Sequence, residues 1–342
     1  MNYGVVVSRD SFVFTRCGVV SVSQLPIDSE ILGVKGIGKS TKYEKVALHS
    51  KEKSATGIRL ITQATDSILV PHTLVFSERI FEAEKLCSIN EVEFYNPSKS
   101  PDFKPGLKSK ILDLQPDVAY AIGLMSNIVS SSPKCLAFLV RNATDPKYIR
   151  RVKESATCLV DIVSRKIRPK INEGKLGHLW IILKGDAVEE IRTTVCEISP
   201  EKVCMKLSSK SLEEFVAGML DAYINEPLYG GDPVLAFSIG NSVQKRFLQN
   251  VLILYGSRIF ETSCITSHAP KFLESAVMVG KKIPTRNPTW NDLSEASEGP
   301  RLFSRVRSWL EIQTSSANLV FEEEGFSPIV DGLYTYPRIL SN

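Results

Sequence analysis

The sequence predicts a multidomain protein that is β-rich at both ends, with an α+β module duplicated in tandem between them. Three observations predict it. Residues 1–95 and 301–342 carry short runs of alternating apolar and polar residues, broken by turn residues. Residues 111–285 instead alternate helix-spaced and strand-like apolar patterns, twice, in the same order. Two polar, proline-bearing stretches, NPSKSPDFKPGLKSK and KKIPTRNPTWNDLSEASEGP, separate these zones. They place linkers at 96–110 and 286–300.

In the first zone, Phe12 and Phe14, then Val19, Val20 and Val22, predict short antiparallel strands. Further strands are expected at 46–48, 58–61 and 68–70, with Gly57 and the run KEKS as turn material. In the middle zone PDVAYAIGLMSNIVSSS, 116–132, predicts a buried helix, and KCLAFLVRN, 134–142, a strand. A helix over 145–166 begins at Asp145 and Pro146. KIRPKINEGKLGHLWIILKG reads as a hairpin and DAVEEIRTTVCEI as a helix. The second half repeats this order. A helix over 211–224 has Ser211 as N-cap and Glu214 three residues on, a capping box. A strand follows at 232–241, then a helix at 242–256 ending in Gly256. Strands SRIFETSCITS and ESAVMVGKK complete it. The repeats occupy about 111–195 and 208–285. The last zone predicts strands in RVRSWLEIQ, NLVFEEEGF and DGLYTY.

Composition narrows the function classes. The chain has 342 residues, 43% of them hydrophobic and 23% charged, with a net charge of +4. That is ordinary for a soluble globular protein, long enough for two or three domains. The charge permits nucleic-acid binding without demanding it. Seven cysteines are scattered with no C-x-x-C, which argues against a zinc site. Their odd number, without a signal peptide, predicts reduced thiols and an intracellular location, cytoplasm or nucleus. No stretch approaches the roughly 20 apolar residues of a membrane span, so no membrane partner is expected.

One motif points elsewhere. GVKGIGKST, 33–41, fits the phosphate-loop pattern at Gly33, Gly38, Lys39 and Ser40. A real phosphate loop needs a buried strand before it and a helix after it, so that backbone N–H groups face the phosphates. The flanks read as short strands on both sides. A hairpin tip is the preferred reading, with a nucleotide-binding loop as the alternative.

The helices that open the two repeats carry a resemblance. AIGLMSNIV, 121–129, and VAGMLDAYI, 216–224, resemble the LAGLIDADG motif of homing endonucleases, with Gly123 and Gly218 at matching places. Small residues there let two helix backbones approach closely. VLAFSIGN followed by QKRFLQNVLILYGSRIF is also similar to that family. The flanks resemble an intein's self-splicing Hint fold. SRDSFVFTRCGVVSVSQLP looks like its opening block, ILVPHTLVF like its histidine block, and the last stretch like its closing strands, which end on Asn. The resemblance implies an all-β Hint-like domain built from 1–95 plus 301–342, with a LAGLIDADG-like domain inserted at 111–285.

The chemistry implied by that resemblance is largely absent. Splicing needs Cys or Ser four residues before the block's Asp, and Asp10 puts Val6 there, which cannot perform an acyl shift. Ser8 is out of register. His72 fits the activating histidine, but Leu69 stands where a Thr is expected. Asn342 fits the cyclising Asn, yet Ser341 replaces the assisting His. The nuclease chemistry needs a carboxylate at the eighth position of each motif to hold Mg²⁺. Those positions are Ile128 and Tyr223. Asp221, at the sixth position of the second motif, is the one acid in either motif, and Ser126 is its counterpart. Asp221, His72 and Asn342 are thus vestigial catalytic candidates. No metal or cofactor is expected, with Mg²⁺ implied only if nuclease activity persists.

What the resemblance leaves is binding. In the family each repeat's sheet lies against DNA. The corresponding candidates are Arg141, Arg165, Lys166, Arg168, Lys170 and Lys175 in the first repeat, and Lys245, Arg246, Arg258 and Lys271 in the second. The leading expectation is an intein- and homing-endonuclease-derived protein that binds DNA or RNA, or acts architecturally, without splicing or cutting. Protein partners in a nucleoprotein assembly are a further expectation. The alternatives are a protein-interaction scaffold, a residual DNA endonuclease and a phosphate-loop nucleotide binder.

Overall fold

The computed structural model describes residues 2–16, 18–26, 28–35, 41–62, 65–76, 80–83, 93–95, 115–141, 143–163, 167–174, 177–193, 200, 203, 207, 209–228, 234–237, 242–254, 258–262, 274–278, 285–288 and 303–340. The chain divides into two units. One comprises Met1–Gly106, Ser242–Thr262 and Pro300–Asn342, and the other Leu107–Asn241 and Ser263–Gly299.

The chain opens with β1 (Asn2–Ser8), β2 (Phe12–Thr15), β3 (Gly18–Ser21), β4 (Glu30–Lys35) and β5 (Thr41–Lys45). Next come β6 (Ala47–Thr62), β7 (Asp66–Leu69), β8 (Leu74–Phe76), β9 (Ile80–Glu82) and β10 (Glu93–Tyr95). The first half of the middle region has α1 (Pro116–Leu124), β11 (Ile128–Ser132), β12 (Cys135–Val140), α2 (Pro146–Val163), β13 (Lys170–Glu173), β14 (Leu179–Lys184) and α3 (Val188–Ile191). Its second half has α4 (Ser209–Tyr223), β15 (Ile224–Leu228), β16 (Val234–Phe237), α5 (Ser242–Leu254), β17 (Arg258–Thr262) and β18 (Glu274–Met278). The end holds β19 (Phe303–Phe321), β20 (Phe326–Val330), β21 (Leu333–Tyr334) and β22 (Arg338–Leu340). The result is a protein of many antiparallel strands and few helices.

The unit that holds both chain ends is built on two antiparallel sheets, β22-β1-β19-β6-β7 and β21-β20-β2-β4-β5, with β10 on β19 and β3 on β2. The long strands β6 and β19 pair from Ala47 opposite Val320 to Thr62 opposite Val306. Its core gathers Val5, Val7, Val13, Ile31, Leu319, Phe321, Phe326 and Val330. These are the alternating apolar positions of the strands, so burying one face fixes each register. Asp331 and Gly332 form the two-residue loop between β20 and β21, with φ of 49° and 76°. That is the Asp-Gly chemistry a tight hairpin requires.

Helix α5 belongs to this unit. It is expected from the sequence within the second repeat. Its contacts explain the difference. Arg246, only 4% exposed, donates to Asp331 Oδ2 at 2.8 Å and to the backbone oxygens of Asp66 and Asp10, each at 3.1 Å. The guanidinium also sits 5.2 Å from the Phe12 ring centre, and Phe247 meets Phe12 edge-on.

The second unit holds the repeated α+β pattern. Its first sheet runs β11-β12-β14-β13. In the second half β15 pairs with β16 and β16 with β18, so β16 skips β17 just as β12 skips β13. Helices α1 and α2 cover one face of the first sheet. Leu136, Phe138, Val140, Leu179, Ile181 and Leu183 point to that face and join Tyr148, Val152, Leu159 and Val160 in the core.

Several expectations are corrected. The segment 116–132 is not one helix: α1 stops at Leu124, and the β-branched pair Ile128–Val129 continues as β11. Helix α4 starts at Ser209, so Ser211 lies inside it, and Glu214 pairs with arginines rather than closing a capping box. RVRSWLEIQ and the start of NLVFEEEGF are a single strand, β19. At 33–41, β4 and β5 pair with Gly33 opposite Lys42 and Val34 opposite Thr41. A strand stands where a phosphate loop needs a helix, so the flanks are those of a hairpin. Gly38, Lys39 and Ser40 lie outside the described residues.

Candidate nucleic-acid interface

The second unit is organised by the contact between α1 and α4. A Cβ on Gly123 would lie 2.2 Å from the Phe215 carbonyl oxygen, and one on Gly218 would lie 2.2 Å from that of Tyr120. The contact is reciprocal, three residues back on each partner. Only glycine fits at either place, since real Cβ contacts do not fall below about 3 Å. The structure therefore brings Gly123 and Gly218 together. Beyond the crossing, Asn127 Nδ2 donates to the Ala222 carbonyl and Tyr223 Oη to the Ser126 carbonyl, each at 2.8 Å. Burial pushes the Tyr223 hydroxyl up to about 12. Ile128, the other eighth-position residue, is 36% exposed at the start of β11.

Asp221 points into the helix pair. It is 1% exposed, and its Oδ2 accepts from Tyr120 Oη at 2.7 Å and from the Arg286 backbone N–H at 3.1 Å. Tyr148 Oη lies 3.2 Å from Tyr120 Oη. Among the described residues Oδ1 has no hydrogen-bond partner. Burial pushes the Asp221 carboxyl up to about 7, against the hydrogen bonds from Tyr120, the Arg286 N–H, Tyr148 and the Asn287 N–H, which hold it down. Around it, Glu214 bridges Arg151 at 2.6 Å and Arg286 at 3.2 Å, while Arg286 also meets Glu213 at 2.6 Å. Among the described residues no group of three His, Cys, Asp or Glu side chains could hold a metal ion.

The opposite face of the first sheet is different in kind. Strand alternation turns Lys170 and Asn172 of β13, Trp180, Ile182 and Lys184 of β14, and Cys135, Ala137 and Leu139 of β12 away from the helices. The register sets them in rows. Asn172, Trp180 and Leu139 form one row, Lys170, Ile182 and Ala137 the next, and Lys184, Cys135 and Ser132 the third. Lys170, Asn172, Lys184 and Ser132 are exposed, while Trp180 and Ile182 are half-buried. Among the described residues no carboxylate stands on this face. The one acid of β13, Glu173, turns the other way and meets Lys153 of α2 at 3.1 Å. At the rim, Lys134 and Asp186 neutralise each other at 2.8 Å.

Of the basic candidates, Lys170 is on this face. Arg168 is exposed but pairs with Asp161 of α2 at 2.5 Å, and Arg141 is half-buried just after β12. Arg246 is corrected: it is a buried structural arginine, not a surface contact. Lys245 is half-buried on α5. Arg258 lies in β17 with its side chain outside the described residues, and Arg165, Lys166, Lys175 and Lys271 are outside them altogether. The sequence reading missed Lys184 and Trp180. The alternation in LWIILK is the signal that puts both on one face.

The Hint-like residues are placed as follows. Ser8 is fully buried, its Oγ 2.6 Å from Thr314 Oγ1, which donates to Asp10 Oδ2 at 2.9 Å. The turn at Val70–Thr73 leaves His72 exposed and sends the Thr73 hydroxyl to the Val6 carbonyl at 2.8 Å. Asn342 lies outside the described residues.

No protein-family model matches the chain, and neither does any curated protein. Among solved structures, one of I-DmoI in complex with DNA and Mn is 12% identical, covering 47% of this chain and 88% of that one with a TM-score of 0.33. One of I-DmoI with DNA and Ca is 12% identical over 47% and 81%, TM-score 0.34. A structure of mesophilic variants from the homing endonuclease I-DmoI is 13% identical over 47% and 87%, TM-score 0.30. These are partial likenesses that leave more than half of this chain unmatched.

Proposed function

We propose that this protein binds nucleic acid through the outward face of the β11-β12-β14-β13 sheet, on a Hint-like and LAGLIDADG-like scaffold that neither splices nor cleaves. One observation carries the binding reading. Across the described positions of that face, Lys170 and Lys184 are the only charged groups, and the sheet's acid, Glu173, is turned to the helices. A surface that keeps cations and sheds carboxylates suits a polyanion. Phosphate contacts from such lysines supply affinity without sequence information.

Residue chemistry supports the loss of both reactions. The eighth position of each helix motif is Ile128 or Tyr223, and neither offers the hard oxygen ligand that Mg²⁺ takes. Asp221 is committed to Tyr120 and the Arg286 backbone within the helix pair. At the splicing position, Val6 has no nucleophile, although its carbonyl lies under the Thr73 hydroxyl beside His72.

The test is binding of labelled duplex and single-stranded oligonucleotides across a salt series, with and without Mg²⁺. Affinity is expected to fall steeply as salt rises, and Lys170→Glu with Lys184→Glu should weaken it at least about tenfold at low salt. Each lost phosphate contact should flatten the salt slope by roughly 0.7–0.9. Undiminished binding by the double variant moves the site elsewhere. Cutting of a strand in Mg²⁺ overturns the loss of cleavage. No binding at low salt overturns the reading in favour of a protein-interaction scaffold.

A further inference from the structure

We infer that the ligand of this face is single-stranded nucleic acid, with a base stacked on Trp180. The inference rests on the nucleic-acid reading above and narrows it. On this face the half-buried indole of Trp180 and the half-buried side chains of Ile182 and Cys135 are the apolar groups within reach of a ligand, while Ala137 and Leu139 beside them are buried.

Duplex recognition in the major groove works through hydrogen bonds to base edges, from side chains such as Arg, Lys, Asn and Gln. Among the described residues those groups are few here. Asn172 and Lys170 stand on the edge strand β13, Lys184 at the far end of β14, and none is central. An apolar and aromatic platform complements the flat faces of bases instead. Those faces are accessible only when the bases are unstacked, as in a single strand.

The layout suits a strand crossing the rows. Trp180 and Lys184 are four residues apart on β14, about 14 Å at strand rise, with Lys170 diagonal to Trp180 on the neighbouring strand. Both cations lie on the same side of Trp180, one and two rows along, so the backbone of a strand with a base on Trp180 runs from that row toward Lys170 and Lys184. The absence of a carboxylate on these rows removes the repulsion that would otherwise oppose phosphates.

The experiment uses the full chain and 12-nucleotide mixed-sequence probes: single-stranded DNA, single-stranded RNA, and the DNA as a duplex. Either single strand is expected to bind more tightly than the duplex at low salt. Trp180→Ala should weaken single-strand binding about 5- to 150-fold, the range that follows from losing one stacked base. Trp180→Phe should keep most of the affinity, because a ring remains to stack. The indole fluorescence of Trp180 should be quenched by the probe, a signal missing from Trp180→Phe. Because Trp180 is half-buried beside Leu139, Trp180→Ala should melt below the parent protein yet still unfold cooperatively, which separates lost stacking from lost fold. A tighter duplex, or a single-strand affinity unchanged by Trp180→Ala, overturns this inference and leaves the broader reading standing. Binding of none of the three probes overturns both.

Discussion

Asp221 is a carboxyl group without a conventional role. It neither caps a helix nor faces solvent, and burial raises its ionisation to about 7 while Oδ1 stays unpartnered. The groups facing it are Tyr120, Tyr148 and the Arg286 and Asn287 backbone, with Glu213, Glu214, Arg151 and Arg286 just outside. Both tyrosines are themselves pushed well above the ordinary phenol range, first by their own burial. The folded value lies above the unfolded 3.8, so the native state holds more protons than the unfolded chain between those values. Stability must then fall as pH rises from about 4 to about 7, by up to about 1.4 kcal/mol per pH unit. Asp221→Asn keeps an acceptor for Tyr120 and cannot ionise. Urea unfolding at pH 5 and pH 8 should show the parent protein weaker at the higher pH and Asp221→Asn losing less, the remaining fall belonging to Asp331, which burial also raises. Equal pH slopes in the two would mean that Asp221 stays ionised when folded. This acid was visible in the sequence as the lone carboxylate of its motif. Its burial was not, because Tyr120 and Arg286 are 101 and 65 residues away.

At the scale of elements, the pair α1 and α4 is the most legible part of the fold. Gly123 and Gly218 sit in similar nine-residue runs, and the same spacing that revealed them sets them against each other. What the sequence obscured was where α1 ends. Apolar spacing continues through Ile128 and Val129, and periodicity alone does not separate a buried helix from a strand that follows a three-residue turn. The candidate interface was half legible. Lys170 stood out as a charge, whereas Trp180 and Lys184 emerge only when β14 is paired with β12 and β13 and its outward side is known. The reciprocal glycine contact makes its own prediction. Gly123→Ala and Gly218→Ala each force a Cβ to within 2.2 Å of a carbonyl on the partner helix, so the backbones must separate. Each should cost on the order of 3 kcal/mol, the severe end for a small-to-large change. Gly174→Ala is the control, since its Cβ would meet nothing closer than 3.4 Å. Differential scanning calorimetry should rank the first two well below the third. Near-equal melting of all three would show that α1 and α4 part at little cost.

At the scale of the whole molecule, chain order and spatial order part company. Strand β1 pairs with β19 and β22, more than 300 residues on, so a single unit needs both ends. Pairings at such separation leave no local trace in sequence, and neither does the membership of α5. That helix has the spacing of a repeat helix, but Arg246 binds Asp331, and Phe247, Val251 and Leu252 are fully buried. Removing the helix would leave the Asp331 carboxylate, already raised by burial, without the cation that lowers it. An uncompensated buried charge of this sort costs about 3–5 kcal/mol. Two shortened chains separate the possibilities. One replaces residues 107–299 by a flexible linker. The other replaces 107–241 and 263–299 separately and keeps 242–262. The chain that keeps α5 should unfold in one cooperative transition in guanidinium. The chain that lacks it should unfold at a much lower midpoint or without cooperativity, because its β sheets face an open apolar surface around Phe12 and an unpaired Asp331. Equal midpoints would show that α5 is dispensable to the unit it contacts, and that Arg246 is matched by solvent once the helix is gone.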